Sequence, residues 1–195
     1  MKSVVRGTAC AIALVVALTG CGSNGDSTDG KGKASKPLSL EQIRAALPTD
    51  TSLSNGFVGD DAVAIDGEPA RGHCAETTGA TCDGLVAAGA KELATRNRNL
   101  HSKVEFTLFS FDSPKTATAV MKSLAAKQRK DIEPAPAPVK VEAGADETDA
   151  FGNDDVTAVT MRVGSVLVYV WAVDATIEEA NVAAKHQVDR LKAAV

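Results

Sequence analysis

The chain has 195 residues, a formal net charge of −4 at pH 7, four cysteines and only 4% aromatic residues. That acidic balance argues against nucleic acid or an anionic lipid surface as the primary partner, since both are gripped by clustered Lys and Arg. Once a leader and a polar segment are set aside, roughly 155 residues remain, the size of one domain with a substantial core.

Lys2 and Arg6 precede an uncharged apolar stretch from Thr8 to Leu18, the n-region and h-region of an export signal. The run is too short to span a bilayer, which takes about 20 apolar residues. It closes on Leu18-Thr19-Gly20-Cys21, which resembles the lipobox of bacterial lipoproteins. The resemblance implies cleavage between Gly20 and Cys21 and a diacylglycerol thioether on Cys21, often with an amide-linked palmitate-like chain. It therefore implies a protein anchored by lipid on the outer face of the cytoplasmic membrane. Residues 21–37 (Cys21 to Pro37), almost devoid of apolar side chains after the cysteine, read as a flexible tether with a reach on the order of 20 Å. Within it, Gly25 to Lys31 has the spacing of a phosphate-binding loop. Gly32 stands where the Mg²⁺-binding Ser or Thr belongs, and no strand precedes it, so that reading is set aside.

Residues 38–195 are expected to form a single extracytoplasmic domain. Ser39 and Gln42 make a capping box before Leu40, Ile43, Ala46 and Leu47, and Pro48 ends that helix. From Thr49 to Gly72 the turn signals are dense, and the expectation is a loop-rich lead-in with at most a short strand. Cys10 leaves with the signal and Cys21 is lipidated, so Cys74 and Cys82 remain as a pair in an oxidising compartment. Zinc would need three or four ligands, and a redox pair would usually be Cys-x-x-Cys; His73 beside Cys74 supplies neither pattern, which leaves a structural disulfide and no metal.

After Cys82, Asp83 is positioned to cap a helix to about Asn97, with Leu85, Val86, Ala90, Leu93 and Ala94 on its apolar side. The run "SKVEFTLFSFDS" then alternates as a strand, Val104, Phe106 and Leu108 on one face and Phe109 and Phe111 on the other. Ser113-Pro114 opens a helix to about Lys130 on the stripe Ala117, Val120, Met121, Leu124 and Gln128. Its basic face, Lys115, Lys122, Lys127, Arg129 and Lys130, is expected to meet solvent. "PAPAP" reads as a stiff connector into a short strand, Val139 to Glu142, and "ADETDAFGNDD" as a solvated hairpin loop, because its order does not match an EF-hand. Val156–Val163 and Val166–Val173 flank Gly164-Ser165 as a type II′ hairpin. The second run is apolar nearly throughout and should be the central strand, with Tyr169 or Trp171 at a rim. Thr176 and Glu179 cap a closing helix along Ile177, Ala180, Ala184, Val188 and Leu191.

This order predicts an α+β two-layer sandwich, a mainly antiparallel sheet with helices packed on one face. The "SFDSPKTATA" junction, the "MRVGSVLVYVWAVD" hairpin and the Ala-rich closing helix resemble the PknH-like extracellular sensor domains, over roughly Leu38 to Val195. That family has two disulfides around a cleft. This chain offers one, and no functional residue is carried over from the family.

Three functional classes compete: a tethered binding or sensor module, a structural envelope-interaction lipoprotein, and an exported enzyme. The enzyme is not expected, because there is no Gly-x-Ser-x-Gly and His73, His101 and His186 stand in unrelated contexts. No cofactor is called for. The expected partners are the membrane, through Cys21, and an envelope ligand or protein met in a groove edged by Phe109, Phe111, Tyr169 and Trp171.

Overall fold

The computed structural model describes residues 36–50, 52–53, 56–95 and 102–194. The expected signal, the lipobox at Cys21, the tether up to residue 35, His101 and the far end of the helix expected to reach Asn97 lie outside them. The elements in chain order are α1 Leu40–Ala46, β1 Phe57–Val58, β2 Val63–Asp66, α2 Gly67–Thr78, β3 Leu85–Thr95, β4 Lys103–Phe111, α3 Pro114–Asp131, β5 Ala137–Pro138, β6 Glu147–Gly152, β7 Val156–Val163, β8 Val166–Val173 and α4 Ile177–Ala194. The strands form one antiparallel sheet in the order β1-β3-β4-β8-β7-β6-β5, with β2 also paired to the outer edge of β3.

The α+β class, the central position of β8 and three helix starts follow from local chemistry. Ser39 and Gln42 cap α1 reciprocally. Ser113 accepts from the Thr116 N–H, and Thr176 and Glu179 exchange bonds of 3.1 and 2.8 Å at the start of α4. The β7–β8 turn has Gly164 at φ 58° while Ser165 keeps a negative φ, as a type II′ turn requires.

The layering departs from expectation. Side chains alternate along β8, so Val166, Val168, Val170 and Ala172 meet α1 and α4, whereas Leu167 and Tyr169 meet α2 and α3. Helices therefore cover both faces, giving three layers where two were expected. A strand apolar on both sides needs cover on both sides, and short loops at opposite ends of the adjacent, antiparallel β4 and β8 deliver α3 and α4 to opposite faces.

The stretch expected as a helix from Asp83 is the edge-ward strand β3. Its alanines suit a helix in isolation, but here they admit α1 on one face and α2 on the other: Ala87 belongs to the first core cluster and Ala88 to the second. The lead-in is more ordered than its turn signals suggest. It holds β1, β2 and the first half of the twelve-residue α2, whose buried side Ala70, Cys74 and Thr78 recurs every four residues and which ends at Gly79 in the left-handed region, φ 71°. Two other expectations shift. The short strand lies at β5, inside "PAPAP", and Val139–Glu142 is not a strand. The acidic segment is a loop at residues 153–155, but Glu147–Gly152 is strand β6, and arginines hold the segment's carboxylates: Arg162 bonds Glu147 at 2.9 Å and Asp146 at 3.1 Å, and Arg129 pairs with Asp149 while lying 4.2 Å over the Phe151 ring.

Two glycines give opposite expected outcomes. A Cβ on Gly89 would stand 2.6 Å from Ile43 and 3.0 Å from Leu47, so Gly89→Ala should push α1 off the sheet and cost about 1–3 kcal/mol. Gly72, exposed in α2, has nothing within 4 Å, and Gly72→Ala should stabilise by about 1 kcal/mol. Urea unfolding of the two variants reads both signs.

Candidate functional site

The four aromatics expected to edge a groove are not together at a surface. Phe109 and Phe111 are fully buried beneath α2 and α3, with the His73 ring 5.7 Å from Phe109. Tyr169 is 6% exposed, and the ring of half-buried Trp171 lies tilted beside it, 6.0 Å between centroids. Burial, then the charges of Glu105 and Asp131, push the Tyr169 hydroxyl well above the ordinary phenol range, so it remains a neutral phenol. An open groove requires α3 and α4 on the same face; α3 instead closes this one.

Cys74 and Cys82 are joined in a disulfide that ties the penultimate turn of α2 to the approach of β3. The Thr78 hydroxyl donates to the Cys74 carbonyl at 2.7 Å and lies 3.5 Å from the Cys82 sulfur. Beside this link is a hollow of about 420 Å³, lined among others by Thr81, Asp83, Lys115 and Val120. Lys115, Lys122, Arg129 and Lys130 of α3 are exposed, while Lys127 is half-buried and paired with Asp131.

A larger cleft, about 670 Å³, opens at the C-terminal end of α1, on the other face of the sheet. Pro48 cannot continue the helix, and beyond it the Thr49 N–H donates to the Ser52 hydroxyl at 2.8 Å. The helix end leaves carbonyls without intrahelical partners. Two α4 side chains meet them: Gln187 donates to the Ala46 carbonyl at 2.9 Å, and Arg190 donates to Ala46 at 3.1 Å and to Ala45 at 2.6 Å. A guanidinium at a helix C-terminus also meets the negative end of its dipole.

Into this cleft β3 sends Lys91, whose side chain is 7% exposed and pairs with Asp50 at 2.8 Å. Arg44 from α1 and Asp61 from the β1–β2 connection complete the charged lining. None of these residues was legible as a site, because Lys91 sat inside an apparently helical apolar run. The one signal was a charge on a strand position whose neighbours two residues away, Gly89 and Leu93, face the core.

Among the described residues no helix is long and apolar enough to cross a membrane. No three His, Cys, Asp or Glu side chains come together among them as a metal ion would need. This chain shares its fold with the extracellular domain of PknH from Mycobacterium tuberculosis. The TM-score is 0.56 at 15% identity, and the match covers 81% of this chain and 98% of that one. No family model matches the chain, and no curated protein matches it in sequence.

The disulfide closes a loop of sequence separation 8 in a buried cluster. Replacing Cys74 and Cys82 together with alanine should lower stability by about 2–3 kcal/mol on the chain-entropy account. The midpoint and slope of guanidinium unfolding check this.

His186 of α4 gives a pH signature. Burial, then the neighbouring Arg190 charge, holds its imidazole below the usual histidine range against the opposing Asp189, and its Nδ1 is buried without a hydrogen-bond partner among the described residues. Above about pH 6.5 His186 is neutral folded or unfolded; below it the unfolded chain takes up a proton that the folded protein resists, so stability falls as pH drops. Glu147, where burial is outweighed by bonds from Arg162 and Thr118, is held below the carboxylate range and adds a loss of the same sign at lower pH, near 4. His186→Asn should flatten the upper part of that decline, between about pH 6.5 and 5, and leave the lower part unchanged. Urea midpoints across this range read the difference.

Proposed function

We propose that this chain is a membrane-anchored, extracytoplasmic binding domain without catalytic activity, held by lipid on Cys21 and presenting the α1 cleft to a small ligand. The observation that carries the reading is the cleft itself: about 670 Å³, within the range of ligand sites, with a buried ammonium in its wall. The fold it shares with an extracellular domain supports the extracytoplasmic placement, as does the signal and lipobox pattern of Lys2 to Cys21. The sequence carries no Gly-x-Ser-x-Gly motif, which supports a role without acyl-transfer chemistry. A second reading, an envelope-interaction protein with no small ligand, is favoured by the burial of Phe109 and Phe111, which removes the aromatic groove expected to bind.

Cys21→Ser should leave the signal uncleaved or release the protein from the membrane fraction. Membrane fractionation with mass measurement tests this; a variant found in the membrane at the processed wild-type mass would overturn the anchor. Amide shift mapping of the full chain in detergent with a fragment set separates the two functional readings. Shifts clustered on Arg44, Asp61 and Lys91 support the binding domain, and their absence supports the interaction protein.

A further inference from the structure

The charge arrangement of the α1 cleft narrows its ligand, an inference that rests on the cleft being the binding site. Lys91 stands on the sheet face that otherwise carries Ala87, Leu93, Val104, Phe106 and Leu108, where a buried ammonium is costly unless its hydrogen bonds are met. An ammonium has three N–H donors. Asp50, at 2.8 Å, is its one partner among the described residues, so two donors are left at the cleft wall.

Arg44 lines the same cleft, is exposed on α1, and has no ion pair among the described residues. Arg190 adds a third cation whose Nε and one terminal nitrogen are held by the Ala46 and Ala45 carbonyls, which fixes the guanidinium in place. Against these three stand the carboxylates of Asp50, already engaged by Lys91, and Asp61 at the β1–β2 connection. The uncommitted donors in the cleft are therefore cationic. A large anionic polymer is disfavoured by the overall charge of −4, whereas a compact acid meets only the local field.

We propose that the cleft binds a small organic acid, its carboxylate or phosphate group seated between Lys91 at the wall and Arg44 at the mouth. The charge-assisted bond from Lys91 joins a donor already positioned by its strand and by Asp50, so little ordering is needed at the cleft wall on binding.

The test is isothermal titration of the full chain in detergent at low ionic strength, with succinate and with inorganic phosphate as probes and choline chloride as the cationic control. Saturable binding of at least one anion is expected, with affinity reduced at least about tenfold in Arg44→Gln and abolished in Lys91→Met. Arg44 is exposed, so its variant folds and carries the test even where Lys91→Met does not. Two results would overturn the proposal: no saturable heat from either anion at millimolar concentration, or equal affinity in wild type and Arg44→Gln. Amide shifts separate this failure from failure of the binding-site reading. If choline or glucose moves the Arg44 and Asp61 amides while the anions do not, the cleft is a site for another chemistry. If no probe moves them, both inferences fall.

Discussion

The constraint on which the rest of the molecule depends is the two-sided burial of β8. Val166, Leu167, Val168 and Val170 are all at 3% exposure or less, so no face of this strand can be left to water. Its neighbours β4 and β7 share the demand: Phe106 and Leu108 point one way and Phe109 and Phe111 the other, and Met161 and Ala158 repeat the division. Such a centre is stable only when apolar helical faces arrive from both sides, which is why α1 and α4 share one side and α2 and α3 the other.

Covering both faces then dictates the residues of the flanking strand. On β3 the helices come close, and the chain supplies Ala87, Ala88 and Gly89 where larger side chains would hold them away. The approach of α1 to Gly89 brings its last turn over the edge of the sheet, where its carbonyls are taken by Gln187 and Arg190 from α4. The α1 cleft follows from this geometry. Past Pro48 the sheet face is no longer covered by a helix, and the side chain that emerges there, Lys91, is charged and paired with Asp50.

The far edge of the sheet is stabilised by other means. β5 and β6 have few apolar residues beyond Ala150 and Phe151, and their position depends on Arg162, only 14% exposed in its side chain, which joins Asp146, Glu147 and the Gly164 carbonyl. The Leu38 N–H donates to Ser110 at 2.7 Å, joining the first described residues to the centre of the sheet. Charge pairing at one edge and a disulfide-linked helix on the α2 side complete the structure, whose fold, though not these contacts, is what it shares with an extracellular domain at 15% identity.

The sequence by itself determined those features whose causes are local. Ser39, Ser113 and Thr176 mark helix starts because a side-chain oxygen must meet a free N–H within three residues. Gly164-Ser165 specifies the β7–β8 hairpin because the first central position of the turn takes a positive φ that glycine adopts freely, and Cys74 and Cys82 pair because they are eight residues apart with no competitor in the domain. Tertiary structure decided the rest. The Ala-rich stretch after Asp83 is a strand because two helices compress it, against its own helix propensity. Within the acidic run, Glu147–Gly152 is a strand whose carboxylates are held by arginines distant in sequence. Phe109 and Phe111 are core because α3 crosses their face, and Lys91, Arg44 and Arg190 share a cleft although 47 and 99 residues separate them, since charge placement in space depends on which helix covers which face.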